Sequence, residues 1–182
     1  MLKTKNNEII TKINLDKTGY LWRNNIEEYS LGVGYRVREQ FWEFRKLFFS
    51  AEIEYANNLD KLPIQKKLTL NFNQLWKNYW NTGFIIDFSA EHYDDLLTYD
   101  YEDNYLGPIA EIPKSIGYKM FLQTDQRNLF SSRIEYGIGW NTLKDFGSNI
   151  FSSIKFSPNE NLNFSLDYYN GNSKEKFHWI EI

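Results

Sequence analysis

The residues best suited to acid–base chemistry are few and poorly spaced for it. The sequence holds two histidines, His92 and His178, and no cysteine, which excludes thiolate chemistry and a disulfide framework. Neither histidine stands in an HExxH or similar ligand spacing, and both read as loop or interface residues. Glu52 and Glu54, or Glu135, carry the group that a glycosidase uses as acid and base. Yet Glu52 and Glu54 lie two apart in the alternating run SAEIEY, which puts both on one face of a strand as ordinary polar lining. Asp94, Asp95, Asp100, Glu102 and Asp103 offer oxygen ligands of the kind that hold Ca²⁺, but without the DxDxDG order of a calcium loop. They read as a solvated external loop. Asp125 and Arg127, in TDQRN, read as a charge pair stabilising a turn. No catalytic residue, metal or cofactor is expected.

Composition narrows the class of protein. The 182 residues suffice for one domain. A net charge of -3 with no basic tract argues against nucleic acid as a partner, because phosphate neutralisation needs clustered Lys and Arg. Aromatic content is high, 18% with six Trp, while mean hydropathy is -0.59. No window approaches the roughly 18 apolar residues of a transmembrane helix. A β-barrel escapes that criterion, since only alternate residues meet lipid. The N-terminal MLKTKNNEIITKINLDKTGY has no apolar core of a secretory signal, so export requires a signal peptide missing from this chain.

The elements that would position these residues are strands. Leu68, Leu70 and Phe72 alternate with Thr69, Asn71 and Asn73; Thr82, Phe84, Ile86 and Phe88 alternate with Gly83, Asp87 and Ser89. The same period of two recurs in Tyr29–Val37, Leu47–Tyr55, Ile116–Leu122, Phe130–Trp140, Phe146–Phe156 and Leu162–Tyr168. About eight strands follow one another with turn-like segments between and no helical pattern, which predicts an all-β antiparallel meander. Residues 1–18 read as a poorly defined lead-in, and 92–113 as one long external loop.

The two faces of these strands differ in kind. One is aliphatic and aromatic, with Leu47, Phe49, Ile53, Phe84, Ile86, Phe88, Ile134 and Ile138. The other mixes Gly and Ser with Arg36, Arg38, Glu52, Glu54, Arg133 and Glu135, which suits a wet lumen. Inward Gly32, Gly34, Gly83, Gly137, Gly139 and Gly147 would leave space there. Strands of about 10 to 13 residues, tilted near 40°, span about 25 to 33 Å, the height of a membrane wall. The short connections carry an aromatic belt, Phe41, Trp42, Phe44, Trp76, Tyr79 and Trp80, whose rings favour a membrane interface. The long loop, with Asp100, Glu102, Asp103, Gly107 and Pro108, is expected at the opposite end.

Five segments, GYLWRNN, WKNYW, YLGPIAEIP, TDQRN and LNFSLDYYNGNSKEKFHWI, occur in an order that resembles the C-terminal β-barrel region of a gram-negative outer-membrane family. The N-terminal part of that family is a family-9-like carbohydrate-binding domain. Its segments look like G-[FY]-L-x-R-N-[DN], K-N-Y-W, G-G-P and S-D-x-R-K; here Leu106 replaces the first glycine before Gly107 and Pro108. The resemblance implies an outer-membrane location, a barrel longer at both ends, and a chain that is an internal piece or truncated product. The expected reading is thus a non-enzymatic barrel segment of a carbohydrate-binding envelope protein, serving as anchor, conduit or partner surface. Its partners would be the lipid bilayer, the remainder of the barrel, and an envelope glycan or a partner protein. Two alternatives stand beside it: a soluble β-sandwich carbohydrate-binding module, and the membrane part of a protein acting in glycan breakdown.

Overall fold

The computed structural model describes residues 7–15, 26–94, 109–159 and 161–174. Alternating apolar and polar residues become strands wherever period two persists. In chain order these are β1 (Asn7–Leu15), β2 (Ile26–Val37), β3 (Phe44–Asn58), β4 (Pro63–Trp76), β5 (Asn81–Ser89), β6 (His92–Asp94), β7 (Ala110–Ile112), β8 (Ser115–Gln123), β9 (Phe130–Asn141), β10 (Phe146–Asn159) and β11 (Leu162–Lys174). Nine of them form one sheet in the order β1-β2-β3-β4-β5-β8-β9-β10-β11, every pair antiparallel. The sheet is a simple meander. β6 and β7 pair separately as a short hairpin between β5 and β8.

Register fixes the faces, because directly opposed residues share a side. Leu31↔Ile53↔Leu68↔Phe88↔Ile116↔Trp140↔Phe146 is one unbroken apolar row. The neighbouring Gly32↔Glu52↔Thr69↔Asp87↔Gly117↔Gly139↔Gly147 lies on the reverse side. β3, β4, β10 and β11 run 15, 14, 14 and 13 residues, against about 5 to 6 for the mean strand of soluble domains.

The burial pattern is the reverse of a soluble sheet's. Leu31 is 50% exposed and Ile53 55%, while Ser30, on the polar face beside them, is 9%. Ile26 and Ala56 are the buried hydrophobic residues among those described, and no large side chain there is fully buried. Strands contact only their sheet neighbours, apart from β6 against β4. Among the described residues, therefore, no second sheet covers the apolar face, and β1 and β11 do not meet. The polar face is the more enclosed, as on the concave side of a curled sheet.

Three hairpins share one turn design. Lys61, Tyr79 and Lys144 each adopt φ of 64° to 67°, and each donates its backbone N–H to the carbonyl three residues back, on Asn58, Trp76 and Asn141. A type I turn followed by a left-handed residue gives this three-residue loop. In two of them an Asn side chain replaces missing backbone partners: the Asn58 amide oxygen accepts from Leu62 N–H at 2.9 Å, and that of Asn141 accepts from Leu143 and Asp145 at 3.0 and 2.9 Å. Lys144→Gly should stabilise the fold by about 0.5 to 1 kcal/mol, since glycine tolerates φ above zero without Cβ strain. Urea unfolding of the two proteins side by side measures this shift.

Several expectations change. The lead-in contains β1, a ninth strand on β2, which the polar NEIITKINL conceals. Within 92–113, β6 and β7 pair at the base of the excursion. That excursion leaves from the Ser89 end of β5, paired with Lys67, opposite the Asn81 end paired with Leu75. Asp100, Glu102, Asp103, Gly107 and Pro108 lie outside the described residues, as does His178.

Candidate functional site

Several charges of the polar face are held in ion pairs. Lys67 on β4 sits 3.0 Å from Asp87 on β5, and the Thr69 hydroxyl donates to the same carboxylate at 2.7 Å. Gln65 donates to Glu54 at 3.1 Å. Glu135 on β9 lies between Lys119 of β8 at 2.9 Å and Arg133 of its own strand, and Arg133 also donates to Gln123 at 3.2 Å. Arg36, Glu52, Glu54, Arg133 and Glu135 all stand on this face. Arg38 stands just beyond β2, which ends at Val37. Such pairing satisfies charges that a half-enclosed surface would otherwise leave poorly solvated.

Reactive groups elsewhere have ordinary partners. His92 donates from Nδ1 to the Ala90 carbonyl at 2.8 Å. Among the described residues no group of three or more His, Cys, Asp or Glu side chains converges to hold a metal ion.

At one end of the sheet the turns between β2 and β3, β4 and β5, and β8 and β9 come together. Trp42 packs edge-on against Phe44 at 5.7 Å, and Phe44 meets Trp76 at 4.6 Å. The Trp76 indole donates to the Thr82 hydroxyl at 2.8 Å. Lys77 N–H donates to the Glu43 carbonyl at 2.9 Å, which joins two turns through backbone. Tyr79 receives two guanidinium groups on its ring, Arg45 at 4.0 Å and Arg127 at 3.1 Å; cation–π attraction of this kind ties β3 and the β8–β9 turn to one ring. Trp80 is 40% exposed and Trp42 71%. On the adjoining strands Phe130, Phe156 and Phe164 stack at 4.8 and 6.2 Å, which extends the aromatic rim to β11.

Asp125 anchors this rim. Its carboxylate accepts from Arg127 Nε at 2.9 Å, Nη2 at 2.7 Å and backbone N–H at 3.0 Å, the bidentate fork that favours the ionised form. The Arg127 side chain, then its backbone N–H, hold the Asp125 pKa down to about 2, while the carboxylate pushes the Arg127 pKa up. The linkage follows in sign. Asp125 contributes stability above its unfolded pKa of about 3.9, and that contribution disappears as pH falls through that value towards 2. Carbon-13 NMR of the Asp125 carboxyl should show a midpoint near pH 2; a midpoint near the unfolded value would mean that the pair is not formed.

The polar face also holds residues that its Gly, Ser and charge pattern did not announce. One register row reads Arg36↔Phe48↔Asn73↔Gly83↔Phe121↔Glu135↔Phe151↔Tyr169. Four aromatic residues thus stand on the face opposite the apolar one. Their signal in the sequence is the doublet: Phe48-Phe49, Phe121-Leu122, Ile150-Phe151 and Tyr168-Tyr169 each send one apolar side chain to either side. The glycines beside them are not empty space. A Cβ on Gly83 would lie 2.6 Å from the Phe121 ring, one on Gly137 2.5 Å from the Asn149 amide, and one on Gly171 2.9 Å from the Tyr169 hydroxyl. Neighbouring side chains fold over the glycines and fill the room.

The chain matches a family described as a domain of unknown function, DUF5916, over residues 3–181. The chain belongs to the DUF5916 family. No curated protein and no solved structure matches it. The DUF5916 match covers the nine-stranded sheet from β1 to β11, so the aromatic rim and the charged face both lie within the family's domain.

Proposed function

We propose that this DUF5916 chain forms part of the wall of an outer-membrane β-barrel, with the apolar face towards lipid and the polar face towards a wet lumen. The observation that carries the reading is the inverted burial: the apolar face is the exposed one, at 50% for Leu31 and 55% for Ile53. A soluble protein rarely leaves so large a contiguous apolar surface to water, whereas a barrel wall requires it. Strand length and the aromatic rim support the same reading. The role is non-enzymatic: membrane anchor, conduit or partner surface of a carbohydrate-binding envelope protein, the last part resting on the family resemblance.

The wall is incomplete on this reading. In a meander of nine antiparallel strands β1 and β11 run the same way, so direct closure would pair them in parallel. Antiparallel closure, the usual pattern of bacterial barrels, takes an odd number of further strands. The described sheet leaves both edges available for them.

Refolding from urea into phospholipid vesicles tests this. The expected outcome is a protein that needs detergent or lipid to stay dispersed and whose strands resist protease once inserted. A monodisperse monomer without detergent, unfolding cooperatively, would overturn the barrel in favour of a soluble module.

A further inference from the structure

The aromatic row on the polar face calls for its own explanation. An apolar ring on a wetted, charge-lined surface costs about 25 cal/mol for each Å² left in water, so barrel linings are mostly polar. Here Phe121, Phe151 and Tyr169 occupy one register row of β8, β10 and β11, and Tyr169 remains 68% exposed. Phe151 and Tyr169 stand directly opposite each other on β10 and β11, and Glu135 stands between Phe121 and Phe151. Glycine at positions 83 and 171 lets the Phe121 and Tyr169 rings lie along the sheet, because a Cβ at either site would push them off.

We propose that Phe121, Phe151 and Tyr169, with Glu135, Arg133 and Asn149, form a binding stripe for a neutral oligosaccharide. The inference rests on the reading of the polar face as a barrel lining. A sugar ring has an apolar C–H face and a hydroxyl rim. The first matches an aromatic ring, and the second matches hydrogen-bonding groups set between the rings, the pattern of a few fixed polar groups on an apolar floor. Glu135 is held between Lys119 and Arg133, and Arg133 also lies 4.8 Å over the Phe121 ring, so carboxylate and guanidinium edges both border the stripe. Cations and anions are interspersed on this face: Lys67 pairs with Asp87 and Lys119 with Glu135, and Arg36, Glu52 and Glu54 stand among them. Neither a polyanion nor a polycation is therefore favoured. Phe48, with Arg36 5.1 Å over its ring, continues the row towards β2.

Isothermal titration calorimetry of the chain folded in detergent micelles tests the stripe, with maltohexaose and cellohexaose as neutral probes and an oligogalacturonate as the anionic one. The expected result is saturable binding of at least one neutral probe. Phe121→Ala and Phe151→Ala should each weaken it tenfold or more. Tyr169→Ala should weaken it similarly and Tyr169→Phe little, because the ring and not the hydroxyl is used. Phe84→Ala, on the opposite face, should leave it unchanged. Absence of binding by a folded protein, indifference to the ring substitutions, or preference for the anionic probe would each overturn the proposal. Vesicle insertion, measured on the same preparations, reports separately on the barrel, so a folded, inserted protein that binds no neutral probe defeats the stripe alone.

Discussion

Ile86→Arg is expected to lower the stability of the lipid-inserted protein by about 2 to 4 kcal/mol, the cost of a cation on the lipid face near mid-membrane. Ile86 lies in the middle of β5, opposite Leu70 on one side and Tyr118 on the other, in the heart of the apolar face. Were that face in water, the same change would fall within about 0.5 kcal/mol, as surface substitutions usually do. The contrast separates lipid from solvent without knowledge of any ligand. Ser50→Arg provides the internal control, because Ser50 lies on the polar face opposite Asn71, where a long charged side chain can reach water. Urea titration in vesicles, followed by tryptophan fluorescence, reads both variants. Equal, small effects at Ile86 and Ser50 would remove the basis for a lipid-facing surface.

Two glycines on the polar face should answer a Cβ in opposite directions. Gly83→Ala is expected to destabilise by about 1 to 3 kcal/mol, the usual range for overpacking. Its new methyl would meet the Phe121 ring at 2.6 Å and the Phe72 carbonyl oxygen at 2.7 Å. The ring can swing away, but the carbonyl is backbone in the β4–β5 ladder and cannot. Gly147→Ala meets nothing nearer than 4.0 Å, and no glycine described here has positive φ. It should therefore stabilise by about 0.4 to 1 kcal/mol through the reduced freedom of the unfolded chain. Denaturation midpoints of the two variants, measured side by side, decide whether the Phe72 carbonyl crowds the Gly83 site as described. Similar behaviour of both would show that Gly83 has room for a Cβ.

Gly83 also shows where reading the chain alone falls short. Its place on the polar face was legible from TGFIIDF, since alternation assigns faces residue by residue. That the site is covered by Phe121 was not, because Phe121 arrives from β8, across the whole 92–113 excursion. The same holds at the rim. WKNYW announced aromatic residues at a turn, but Arg45 and Arg127 reach the Tyr79 ring from β3 and from the β8–β9 turn, partners that only strand pairing makes neighbours. Asp125 with Arg127 was readable because the pair is local, two residues apart on one turn. β1 is not legible in the sequence, because its Asn, Glu and Lys content weakens β propensity and its pairing with β2 is a tertiary fact.

By itself the sequence determined the β class, the sequential meander and the chemical difference between the two faces, since all three follow from a period of two and short, turn-like connections. Only the tertiary structure decided register. With it came the salt-bridged pairs of the polar face, the aromatic row from Phe48 to Tyr169, and the absence of a second sheet over the apolar face among the described residues. The physical reason is that alternation is written in neighbouring residues. Which residue of one strand stands opposite which of the next depends on hydrogen-bonded ladders between segments far apart in the chain.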